Sequence, residues 1–199
     1  MALSRRQLIV IIILVIIAAS IIGGYYYFTR ERILLNNNDS FETSLEPWET
    51  GYDLPQDPNN PGHFVAWGIT RSENQSASGD YSLRLYVDGR QDDGTIWIQR
   101  NIDGIRRGRN ITLEFRLFSS SQSFNTLAVV VGFIGSVLPA NEEDFTVLGS
   151  ANEVEGWKPY KMSLEIDDET DVLWIAVGIS VRWEAQLVYY IDDVAITVF

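Results

Sequence analysis

The chain of 199 residues contains no cysteine and a single histidine, His63. Without thiols there can be no disulfide and no thiolate metal centre, so an exported domain of this composition must hold itself by core packing, bound metal or glycans. One histidine leaves His-based zinc sites and Ser-His or Cys-His catalysis without their parts. Positive charge is also scarce: 15 Lys and Arg stand against 27 Asp and Glu, a formal net charge of −12. Such a surface repels nucleic acid and anionic lipid, and it welcomes cations. No nucleophile elbow, phosphate loop or zinc motif is present. The acidic run Glu142-Glu143-Asp144 reads as a solvated loop. Glu114 and Glu165 have a parity that suits a shared outer face, but nothing marks them as the acid and base of a glycosidase. These absences argue against an enzyme.

Charge is missing altogether from Leu8 to Phe28, a run of 21 residues made almost wholly of Ile, Leu, Val, Ala and Tyr. At about 1.5 Å per residue it spans roughly the 30 Å hydrocarbon core of a bilayer. Arg5 and Arg6 precede it and no acid lies before Glu31. The positive-inside bias therefore keeps residues 1–7 in the cytoplasm and exports the chain beyond Phe28. Tyr25, Tyr26 and Tyr27 suit the outer interface. Removing Arg5 and Arg6 leaves 13 basic against 27 acidic residues, so the exported part carries −14. A cleaved signal peptide is the alternative, with Ala18, Ala19, Ser20, Gly23 and Gly24 as small residues for a cleavage site. The length favours an uncleaved signal anchor. On that reading residues 8–28 form a transmembrane helix, 29–35 a linker, and 36–199 one extracellular domain. The location is then a cell membrane, crossed once.

Beyond the anchor no stretch has a helical period. Tyr81, Leu83, Leu85 and Val87 alternate with Ser82, Arg84, Tyr86 and Asp88. The same period runs through Ile96 and Ile98; Ile111, Leu113, Phe115 and Leu117; and Tyr160, Met162, Leu164 and Ile166. A period of two marks half-buried antiparallel strands. Leu127–Ile134 is apolar on both faces and reads as an inner strand. Asp88-Gly89, Asp93-Gly94, Asp103-Gly104, Gly108 and Asp167-Asp168 supply turns. The cluster Asn36–Asp39 reads as a turn, and Gly51–Gly62, with Pro55, Pro58 and Pro61, as a long loop. The pattern predicts an all-β fold, a two-sheet antiparallel jelly-roll sandwich behind one N-terminal transmembrane helix.

Val172–Trp183 stands out. One face reads Leu173, Ile175, Val177, Ile179 and Val181; the other reads Trp174, Ala176, Gly178, Ser180 and Arg182. Small residues between a Trp and an Arg describe a shallow ligand groove, a plain surface face, or a face covered by a loop. Three sequons, at Asn38, Asn74 and Asn110, offer glycan attachment in an exported chain.

Three further segments occur in order: Leu35-Asn36-Asn37-Asn38-Asp39-Ser40-Phe41-Glu42 followed by Pro47-Trp48, then Ser78-Gly79-Asp80-Tyr81-Ser82-Leu83-Arg84-Leu85, then Tyr189-Tyr190-Ile191-Asp192-Asp193-Val194. Together they resemble the galactose-binding-like jelly rolls, in particular carbohydrate-binding modules of families 4, 9 and 22. The resemblance implies a structural calcium, with ligands from Ser40 or Glu42, the backbone at Gly79 and Asp80, and Asp192. It also implies a sugar site of outward rings, for which Tyr86, Trp97 and Trp174, and then Tyr52 and Trp67, are candidates. Arg84, Gln99, Glu114, Arg116 and Arg182 are their polar partners; Trp48 and Trp157 read instead as core or edge. The implied function is a membrane-anchored, non-catalytic carbohydrate-binding-like module. The alternative is a structural ectodomain of a surface layer, filament or membrane complex, with surface-protein partners in place of sugar.

Overall fold

The computed structural model describes residues 18–20, 35–105, 108–166 and 170–199. The apolar run 8–28 lies outside these, except for the helical residues 18–20. Among the described residues no helix is long and apolar enough to cross a membrane. Residues Leu34–Phe199 form one unit, whose described residues make eleven strands. These are β1 (Leu35–Asp39), β2 (Glu49–Asp53), β3 (Trp67–Ser72), β4 (Ser82–Asp88), β5 (Thr95–Ile105), β6 (Asn110–Ser119), β7 (Ala128–Gly135), β8 (Thr146–Ser150), β9 (Gly156–Glu165), β10 (Thr170–Val181) and β11 (Gln186–Val198).

The strands pair antiparallel into two sheets. One has the order β3-β4-β11-β6-β9, with β1 also pairing to β11; the other runs β2-β5-β10-β7-β8. The period-two segments supply the wall between them. Leu83, Leu85 and Val87 of β4, Ile111, Leu113, Phe115 and Leu117 of β6, and Ile191, Val194, Ile196 and Val198 of β11 face Ile96, Ile98, Leu173, Ile175, Val177, Ile179 and Val181 across one core. Burying such side chains contributes about 1.5–3 kcal/mol each, enough to hold a domain without disulfides. A polar link also joins the sheets. The Arg100 guanidinium on β5 donates to Asp39 Oδ2 on β1 at 3.1 Å, and Trp48 Nε1 donates to the same oxygen at 3.0 Å. Pro159 falls in β9, an edge strand, where its missing N–H costs no ladder bond.

Two expectations are corrected. Asn36–Asp39 is not a turn but strand, in register with Val194–Thr197 of β11; a partner strand overrides the weak strand preference of Asn. The loop expected from Gly51 begins only at Leu54, because Gly51–Asp53 pairs with Thr95–Trp97 of β5.

Candidate functional site

β10 presents the two faces its alternation describes. Leu173 to Val181 on the odd face are core, and Trp174, Ala176, Gly178 and Ser180 on the even face point away from it. Trp97 on β5 is paired with Gly178, so it shares that outer face with Trp174, four residues further along the ladder. The groove between them is not open. The segment joining β7 to β8 folds back over it through a single 3-10 turn, Glu142–Asp144. Phe145 packs on Trp97 with ring centroids 4.9 Å apart and on Phe133 at 5.9 Å. Trp97 is only 2% exposed, and its Nε1 donates to the buried Gln99 Oε1 at 2.6 Å. Its indole lies over Gly51, where any Cβ would collide with it.

The acidic run supplies the latch. Glu142 pairs with Arg182 at 2.7 Å and accepts a bond from Thr95 Oγ1 at 3.0 Å, while its own amide donates to Asp53 Oδ2 at 3.0 Å. Burial pushes the Glu142 carboxyl up, but hydrogen bonds from Ser180, Arg182 and Thr95 outweigh it and hold it below the ordinary carboxylate range. Three expectations therefore change. Trp97 faces outward from the core as expected but is covered. Arg182 is committed to Glu142. Glu142 is a structural partner, while Glu143 and Asp144 stay exposed. Trp174, half-buried, is what remains at the open end of this face.

Tyr86 and Arg116 lie on the other sheet, so the five residues assigned to sugar contact do not converge. There the outer face carries a row that sequence reasoning did not assemble. Arg84 of β4, Tyr190 of β11, Phe118 of β6 and Trp157 of β9 stand in transverse register. Phe118 meets Trp157 at 5.5 Å and Tyr190 at 5.9 Å. Arg84 leans over the ring of Tyr86, 5.3 Å from its centroid. Trp157 is thus half-buried on the outer face and not part of the core. The parity of each strand was legible in the sequence; the register that aligns the four residues was not. Two residues along the same strands, at the Arg116–Pro159 pair, lies a groove of about 560 Å³, lined by Asn38, Ser78, Glu114, Arg116, Pro159 and Asp193 among others. Arg116 has a half-exposed side chain, 3.6 Å from Asp193, and Glu114 is ion-paired with Lys161 at 2.5 Å.

Asn38, Asn74 and Asn110 are all exposed. Asn38 lines the groove, so a glycan attached there would compete with a bound one.

The residues assigned to calcium meet at one corner, but as acceptors for amides. The two Glu42 oxygens accept from the amides of Asp80 at 3.1 Å and Tyr81 at 3.2 Å. Asp192 is fully buried at a β-bulge of β11. It accepts from Ala77 and Ser78 at 2.7 and 3.2 Å, and from Asp193 at 2.7 Å. Burial raises its pKa, and these amide bonds only partly offset the rise. The Gly79 carbonyl accepts from Ser76 Oγ at 2.9 Å. Ser40 makes no hydrogen bond to Glu42, Gly79 or Asp192 among the described residues. Calcium takes six to eight oxygens; here the carboxylates of Glu42 and Asp192 already accept five main-chain amides, and among the described residues no three acids or histidines group to hold a metal. The donor set does not fit the ion.

No protein-family model matches the sequence, and the search of curated proteins gave no match. Solved structures do share the fold. A family 61 carbohydrate-binding module in complex with β-1,4-galactotriose superposes with a TM-score of 0.50 at 15% identity, over 85% of this chain and 99% of that one. The CBM22-1-GH10 modules of Clostridium thermocellum endo-1,4-β-D-xylanase 10B, complexed with xylohexaose, give 0.52 at 14% identity, over 84% of this chain and 28% of that one. The enzymatically active domain of tailspike protein 4 from bacteriophage CBA120 gives 0.51 at 11%, over 80% of this chain and 20% of that one. At such identities the likeness establishes the jelly-roll sandwich, and function has to be argued from the site.

Proposed function

We propose that the domain is a non-catalytic glycan-binding module, displayed at a cell surface by residues 8–28, that receives a sugar chain on the outer face of the six-stranded sheet. The observation that carries this reading is the half-buried pair Phe118 and Trp157, aligned on neighbouring strands with the buried ring of Tyr190 next in the row, and a polar groove that takes in Arg116 and Pro159 of the same two strands. Aromatic rings pack against the apolar C–H faces of sugars, and groups such as Arg116, Glu114 and Asn38 suit their hydroxyls. The shared fold supports the reading, since two of the similar solved structures hold oligosaccharides. The −14 exported part suits neutral glycans better than acidic ones.

Retention of the whole chain on a panel of immobilised neutral polysaccharides tests it. Each of Trp157→Ala and Phe118→Ala should weaken retention about fivefold, as expected for a ring contact worth on the order of 1 kcal/mol. Trp183→Ala, at an exposed turn after β10, should not. Unchanged retention in the first two variants, or none in the wild type, overturns the reading. A structural ectodomain without sugar binding is the second reading. One observation favours it: the groove on the β10 face is filled by the chain's own Glu142 and Phe145.

A further inference from the structure

We propose that Arg71 is the built-in cation of the corner that ties the start of the domain to its end, taking the place the resemblance gives to calcium. Phe41 sits in the left-handed region, at φ +58°. The carbonyls of Phe41 and Glu42 both accept from one guanidinium, at 2.7 Å to Arg71 Nε and 2.5 Å to a terminal nitrogen. The planar fork of arginine suits two such acceptors at once, where a lysine would offer a point charge. The same guanidinium lies 3.8 Å from the centroid of the Tyr81 ring, and the Tyr81 hydroxyl donates to Glu73 at 2.5 Å.

Arg71 thus stands on β3, touches the chain just after β1 through two carbonyls, and touches the segment leading into β4 through Tyr81. Glu42 holds the amides of Asp80 and Tyr81, and Asp192 from β11 holds those of Ala77 and Ser78. These segments are therefore joined to one another by a guanidinium and by main-chain amides. The guanidinium brings its positive charge to the corner as part of the chain, with no ion from the medium. A divalent cation approaching the Phe41 and Glu42 carbonyls would meet that charge at contact distance and be repelled.

Thermal unfolding of the full chain in mild detergent, followed by tryptophan fluorescence, tests the assignment. The wild type should melt at the same temperature in millimolar calcium and in excess chelator. Arg71→Met should melt about 5 °C lower in both, and Arg71→Lys should recover only part of the loss. Arg90→Met, which removes an exposed pair with Asp88, should barely move the midpoint. A response to calcium in Arg71→Met but not in the wild type would support the assignment further, since it would show the guanidinium excluding the ion. Three outcomes overturn it: a rise of several degrees when calcium is added to the wild type, an Arg71→Met midpoint equal to wild type, or stoichiometric calcium found by elemental analysis of the purified chain. If Arg71→Met does not fold, the wild-type calcium comparison and Arg71→Lys still decide.

Discussion

Gly79 lies directly beneath the carboxylate of Glu42, with φ at +64° and no space for a β-carbon, which would run into both carboxylate oxygens. The resemblance implies these two residues as ligands of one ion; the fold pairs them by contact. Gly79→Ala should cost about 2 kcal/mol, from the left-handed backbone and the displaced carboxylate together. Asp192→Ala should cost about 3 kcal/mol, because three amides lose a charged acceptor in a buried setting. Urea unfolding measures both. If either variant is as stable as wild type, the corner is not what fastens β11 to the loop before β4.

Trp97 and Trp174 share a face but differ in burial, and stability should separate them. Trp97→Ala removes a ring enclosed by Phe145, Gly51 and Gly178 and should cost about 3–5 kcal/mol. Trp174→Ala, at the open end of the face, should cost about 1 kcal/mol or less. Gly178→Ala should be severe as well, since a Cβ there meets the Ile96 carbonyl and the Trp97 backbone. A small loss for Trp97→Ala would mean that the segment carrying Phe145 does not rest on it in solution.

Acid should loosen the latch over the β10 groove. Burial and the hydrogen bonds from Ser180, Arg182 and Thr95 oppose one another at Glu142, and the net effect lowers its pKa. The folded chain therefore binds fewer protons there than the unfolded chain. The stability this supplies is complete above the ordinary Glu range, about 4.3, and is lost as pH falls through the lower folded value. Glu142→Gln should flatten the acid limb of the stability–pH curve. Asp192 has the opposite sign: burial raises its pKa, so its ionisation weakens the fold as pH rises, and Asp192→Ala should not flatten the acid limb in the same way. An acid limb that is identical with and without Glu142 would rule out the latch as a pH-dependent contact.

Display by residues 8–28 has a direct check. Protease added outside intact cells should digest the β domain and leave a short membrane-bound stub that begins before Leu8. A protected domain, or a soluble mature form in the medium, would mean that the run does not act as an uncleaved anchor.

The sequence by itself determined the strands that alternate. In β4, β6, β9 and β10 each second side chain is apolar, and a chain with that period can bury one face only by pairing into sheets. It also determined the fold class, since the segments around Phe41, Gly79 and Asp192 occur in jelly-roll order and the fold brings them to one corner. What it did not contain was register and cover. β1 is a strand because β11 lies beside it, not because Asn favours strands. Trp157 stands with Phe118 and Tyr190 because three strands align to the residue, and a slip of one residue would turn each ring to the opposite face. Trp97 has the parity of a surface residue; it is buried because a segment some forty residues later in the chain, ending in Phe145, lies down on it. Arg71 carried no local signal at all, since its acceptors are two carbonyls about thirty residues away. Periodicity reports which side of a strand a residue takes. Only the tertiary structure decides what stands on that side, because the contacts come from chain that is remote in sequence.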